Sequence, residues 1–195
     1  MSNFNPLVQG WGRTSSAPSL FGALPGGIPS NSRAPPLANA VTFRFTNFHP
    51  NILNSTVLNP QGKSQFRVVT EAVPGRPTVW LDAHQRTIAL LEWSSQPVVE
   101  IPGLLPRTAL KNWLRTSSTQ TARYMDVRGV QYIWAPVEHD ICLYHNQSGQ
   151  STMLARICNI SNGAVLEMTP AAIQYGLLEV CAVATTIFLC GVNFD

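Results

Sequence analysis

The sequence predicts a mainly β protein: an antiparallel β-barrel of about eleven to twelve strands around an apolar C-terminal helix, with one short amphipathic helix. Two observations carry that expectation. From Val41 onward, short runs of β-branched and aromatic residues are separated by turn signals about every 8–12 residues. Near the end, residues 177–192 are almost wholly apolar, with Glu179 as the sole charge and Thr185-Thr186 as the sole other polar pair.

The strand runs are 41–48, 52–58, 66–73, 78–82, 86–93 and 97–101, then 122–127, 130–135, 141–145, 152–159 and 165–168. The first alternates, placing Val41, Phe43 and Phe45 on one face. Pro60-Gln61-Gly62, Pro74-Gly75-Arg76-Pro77 and Ala83-His84-Gln85 separate the early runs. Asp126-Val127-Arg128-Gly129 and Asn146-Gln147-Ser148-Gly149 read as hairpin connections, and Ser161-Asn162-Gly163 reads as a turn.

Between the two groups of strands, residues 107–115 read as the short helix, because Leu110, Trp113 and Leu114 follow the i, i+3, i+4 rule. Thr169-Pro170 is a helix start, with Thr as N-cap and Pro at the first helical position. A helix over 177–192 would have no polar face and would have to be buried in a core or a membrane. Its length is below the ~20 residues that span a bilayer, and no Lys or Arg flanks it. Val180, Val183, Ile187 and Val192 leave two paired strands open, and a tail anchor is the third alternative.

Residues 1–40 are rich in Pro, Gly, Ser, Asn and Ala and show no apolar period, which predicts a disordered leader ahead of a barrel-like domain over 41–195. Leu7-Val8 with Trp11, Leu20-Phe21 and Leu24 are short apolar clusters suited to partner docking.

The net charge is +3, and charged residues make up 12% of the chain, well below the usual ~25%. Arg13 and Arg33 are the only charges in residues 1–40, so the rest is nearly neutral and nucleic-acid binding is not expected. Cys142, Cys158, Cys181 and Cys190 form no C-x-x-C pair, and no signal-peptide pattern opens the chain. The expectation is reduced thiols, a cytoplasmic location and contact with membranes that is at most peripheral.

No metal motif, phosphate-binding loop, nucleophile elbow or calcium loop occurs, so the expectation is no catalytic residue, no metal and no cofactor. Glu138-His139-Asp140 is the densest titratable cluster, and a hydrolase of unknown substrate would have to be built on it. The most suggestive surface feature is basic. Arg107, Lys111 and Arg115 recur every four residues, with Arg123 and Arg128 following, and this set is the candidate lipid- or anion-binding group. Leu110, Trp113 and Leu114 would be its membrane-facing partners. The expected function is a non-enzymatic binding or scaffolding domain in contact with an anionic membrane surface or a protein partner. Self-assembly or protein–protein interaction through an exposed strand edge is the alternative.

Several short segments carry a family resemblance: Ile88-Ala89-Leu90-Leu91-Glu92-Trp93, Val99-Glu100-Ile101-Pro102-Gly103, Trp113-Leu114, Tyr132-Ile133-Trp134, Leu143-Tyr144, Ala155-Arg156 and Leu177-Leu178-Glu179-Val180. Through them the chain resembles an uncharacterised fungal domain-of-unknown-function family. Its sum of elements is similar to the superfold of tubby C-terminal, phospholipid-scramblase and LURP-one-like domains, in which a barrel encloses a hydrophobic C-terminal helix. The resemblance implies the barrel and raises lipid contact as a function. Neither the scramblase calcium site nor the tubby phosphoinositide motif maps onto residues of this sequence.

Overall fold

The structure is a computed structural model, and it describes residues 37–71, 75–147 and 150–195. The expected leader up to residue 36 and the Ser148-Gly149 turn lie outside the described residues. The first seven strands are β1 (Val41–Thr46), β2 (Ser55–Leu58), β3 (Ser64–Thr70), β4 (Thr78–Asp82), β5 (Thr87–Glu92), β6 (Val98–Ile101) and β7 (Leu105–Ala109). A one-turn helix α1 (Leu110–Trp113) leads to β8 (Leu114–Thr116), β9 (Arg123–Val127), β10 (Val130–Val137), β11 (Asp140–Gln147), β12 (Gln150–Ile160) and β13 (Gly163–Met168). Helices α2 (Pro170–Gln174) and α3 (Leu178–Leu189) close the chain.

All thirteen strands form one sheet in the order β7-β6-β5-β4-β3-β2-β1-β13-β12-β11-β10-β9-β8, and every pairing is antiparallel. Chain neighbours pair throughout, except where β1 joins β13. That junction needs Gly163: a Cβ there would lie 2.2 Å from the Phe45 carbonyl oxygen. A side chain at this position would force the backbones of β1 and β13 to shift apart there.

The predicted closed barrel is corrected in one respect. No pairing joins β7 to β8, so the sheet is not closed by hydrogen bonds. It is nevertheless strongly rolled. Trp80 on β4 donates its indole N–H to Thr186 Oγ1 at 3.2 Å, while Trp134 on β10 meets Phe188 edge-on at 5.4 Å. β4 and β10 are seven strand spacings apart in the sheet, about 34 Å if it were flat. Both reach neighbouring residues of one helix only about 10 Å wide. The four residues of α1 likewise tie the end of β7 to the start of β8.

The helix inside is α3. Every residue from Val180 to Leu189 is buried, including Thr185 and Thr186. Those two hydroxyls are tolerated because each donates to the carbonyl one turn back, Cys181 and Ala182, at 2.7 and 3.1 Å. The helical alternative for the apolar segment therefore holds, as one helix over Leu178–Leu189 of the expected 177–192. Thr169 caps α2 through the Ala172 N–H, and Gly176, at φ +70°, breaks the path before α3. Among the described residues, no helix is long and apolar enough to cross a membrane.

The helix expected over 107–115 is corrected more deeply. It survives as one turn, and its flanks became β7 and β8, which raise the eleven predicted strands to thirteen. A segment of that length gains little from helix propensity alone. Pairing with β6 and β9 offered its backbone more.

Phe188→Ala is expected to remove about 3–5 kcal/mol from the free energy of unfolding in urea titration. A loss below about 1 kcal/mol would mean that α3 is not enclosed by the sheet.

Candidate functional site

A depression of about 740 Å³ lies at the N-terminal end of α3. Four connections build its rim: the β4–β5 turn, the β6–β7 turn, the β9–β10 turn and the α2–α3 link. The β4–β5 turn is organised by Asp82, whose carboxylate accepts from the backbone N–H groups of His84 and Arg86 at 2.8 and 2.9 Å and from the Arg86 side chain at 2.7 Å. The Arg86 backbone hydrogen bond leads the causes that hold the Asp82 carboxyl below its ordinary value. Its contribution to stability is therefore complete above the ordinary carboxylate range and is lost as pH falls through the depressed value. The same contacts consume Arg86 as an ion-pair partner.

Arg128 is different. With Gly129 it forms the two-residue turn between Val127 and Val130, and both turn residues have positive φ, 50° and 77°. A non-glycine residue in this conformation costs about 1–3 kcal/mol. The turn leaves the Arg128 side chain exposed against Gly176, and no ion pair or hydrogen bond engages it among the described residues. His84 and Glu179 also line the depression, with Phe66, Ile88 and Leu104 giving it an apolar side. No side chain caps α3, so its first-turn N–H groups are directed toward this end.

The five predicted basic residues do not make one patch. Arg107 on β7 is paired with Glu92, which holds that carboxyl below its ordinary value. Arg115 on β8 bonds Asp126 at 2.5 Å. Lys111 is exposed on α1. Arg123 and Arg128 sit at opposite ends of β9, about 17 Å apart along the strand. Leu110, Trp113 and Leu114 are 0%, 2% and 0% exposed, so the face expected against a membrane is turned into the core. The physical reason is the conversion of helix to strand, which replaces the four-residue stripe with alternating sides.

Arg123 is itself buried, at 1% exposure. It stands opposite the inward-facing Trp134 in the β9–β10 register and so points into the core. A cation in that position requires an anion, and the carboxylate of Asp195 supplies it at 2.5 and 3.0 Å. The Phe194 ring lies 4.4 Å from the guanidinium carbon, and the Leu114 carbonyl accepts at 2.8 Å.

Glu138-His139-Asp140 spans the β10–β11 turn. Asp140 lies 3.8 Å from Arg156, which is held mainly by Glu167 at 2.6 Å, while His139 is exposed. The basin itself was not legible as a site in the sequence. Its residues come from connections scattered between positions 65 and 179, and the one local signal was His84 to Arg86 following Asp82 in a tight turn.

All four cysteines are free thiols. Burial pushes Cys142 up to about 11 and Cys158 and Cys190 up to about 12, and it raises Cys181 as well. At pH 8 the Cys142 thiolate would amount to about a thousandth of the group. Iodoacetamide at pH 8 is therefore expected to leave the native chain unlabelled over times that label it fully in guanidinium. Rapid labelling of Cys142 in the native chain would contradict its enclosure. Replacing Asp82 by Asn should raise hydrogen exchange in residues 83–86, read by mass spectrometry, while leaving α3 unchanged.

Neither a curated protein nor a solved structure matches the chain. A family of unknown function, DUF6593, matches residues 50–187, which is more than half of the sequence and includes the basin, Arg123 and most of α3. The chain belongs to the DUF6593 family.

Proposed function

We propose that this chain is a non-enzymatic binding or scaffolding domain whose basin at the N-terminal end of α3 takes an anionic group, the phosphate of a lipid headgroup at a membrane surface. The observation that carries the reading is Arg128: an exposed, unengaged cation set on a strained turn at the edge of a 740 Å³ depression. Strain held at a ligand-facing position is a recurrent feature of binding sites. The uncapped first turn of α3 adds N–H donors on the same side. Tyr175, exposed at 48%, adjoins the lining residue Gly176 in sequence and supplies an exposed aromatic group suited to an interface.

The finer likeness to the tubby, scramblase and LURP-one-like superfold, and to fungal relatives, belongs to the same proposal. Its support is the apolar C-terminal helix that the rolled sheet surrounds. A cytoplasmic location with peripheral attachment follows from the reading. Assembly through strand edges has weaker support. β8 has only three residues, and Pro106 interrupts the donors of β7.

Co-sedimentation with vesicles of phosphatidylcholine, with and without phosphatidylserine or a phosphoinositide, tests the proposal. Binding should require the anionic lipid and should fall severalfold with Arg128→Glu. Lys111→Glu with Arg115→Glu, remote from the basin, should leave it unchanged. No binding to anionic vesicles, or binding indifferent to Arg128→Glu, would remove the lipid reading.

A further inference from the structure

The last residues of the chain occupy a seat that has the features of a peptide-binding site. After α3 ends, Gly191 turns the chain at φ +75°. Val192 and Phe194 then bury themselves, at 1% and 5% exposure, while Asn193 and Asp195 keep part of their surface exposed. The Asp195 carboxylate meets the Arg123 guanidinium through both oxygens and accepts from Thr116 Oγ1 at 3.3 Å. Phe194 lies against the same guanidinium. Arg123 is fixed in turn by the Leu114 carbonyl, so the anion receptor is part of the sheet.

Side chains do the holding. Among the described residues, no backbone-to-backbone hydrogen bond joins residues 192–195 to a strand. A segment held in this way opens locally at lower free energy than a paired strand. A cavity of about 330 Å³ lies beside the tail, lined by Ser94 to Pro97, Ala109 and Lys111. Lys111 adds a cation that no ion pair or hydrogen bond engages among the described residues, near a site that already holds a carboxylate. The receptor lies inside the family-matched residues 50–187, whereas the tail lies beyond them.

We infer that residues 191–195 are a ligand bound in cis, and that the Arg123 seat takes in trans a partner peptide of the same pattern: apolar, any residue, aromatic, acidic. The tail then acts as a built-in competitor. Its tethered concentration is high, so a free peptide gains access only when the tail is weakened or outcompeted. The seat is separated from the basin by the length of α3, about 18 Å, and does not depend on the basin's ligand.

The test uses a fluorescent pentapeptide copying residues 191–195 and the full-length chain. Polarisation should show the double variant Phe194→Ala with Asp195→Ala binding the peptide at least tenfold more tightly than the unaltered chain. The peptide with its Asp replaced by Asn, or its Phe by Ala, should lose tenfold or more. Arg128→Glu added to the double variant should not change the affinity. A folded double variant that does not bind, or equal affinity for both chains, overturns the inference. If the double variant does not fold, the unaltered chain decides: the Arg123 Nε–H resonance should shift saturably with millimolar peptide and not with its Asn version. No shift overturns the inference.

Discussion

The structure depends on burying one helix that has no polar face. From Val180 to Leu189 every α3 side chain is shielded from water, and only a surface that surrounds the helix can provide that. A flat sheet would cover one side. Thirteen antiparallel strands, most of them turning apolar side chains inward, roll until β4 and β10 both reach the same part of α3. The polar atoms on α3 itself are satisfied locally: the two threonines bond their own helix, and the Trp80 indole bonds one of them.

The same constraint places the two candidate sites. A rolled sheet has two ends, and α3 runs between them. At its N-terminal end the hairpin turns surround an open basin, because no strand or side chain caps the helix there. At its C-terminal end the chain turns at Gly191 and fills the opening with Val192 and Phe194. The sheet also lacks one pairing, between β7 and β8. Asp195 reaches Thr116 on β8 and Arg123 on β9, so the tail lies beside that unpaired edge.

Much of the fold was legible in the sequence, and for local reasons. Alternation and turn residues located eleven strands, and Thr169-Pro170 marked the start of α2. The failure at 107–115 is instructive. Leu110, Trp113 and Leu114 do share a buried location, as their spacing implied, yet one helical turn between two strands satisfies that spacing equally well. Spacing over so short a run cannot tell helix from strand, and long-range pairing decided it. The basic residues show the same limit: Arg107, Arg115 and Arg123 are consumed by Glu92, Asp126 and Asp195, partners 11 to 72 positions away. Arg128 was legible as a basic residue in a hairpin turn, but its basin was not, because the other lining residues converge only after the sheet rolls.

Native-state hydrogen exchange across α3 tests the central claim most directly. If the sheet encloses the helix, the amides of residues 183–189 exchange only through global unfolding, with a free energy equal to that from urea titration. Exchange of those amides at a free energy well below the global value, while β1 and β13 stay protected, would contradict the enclosure on which the fold and both sites rest.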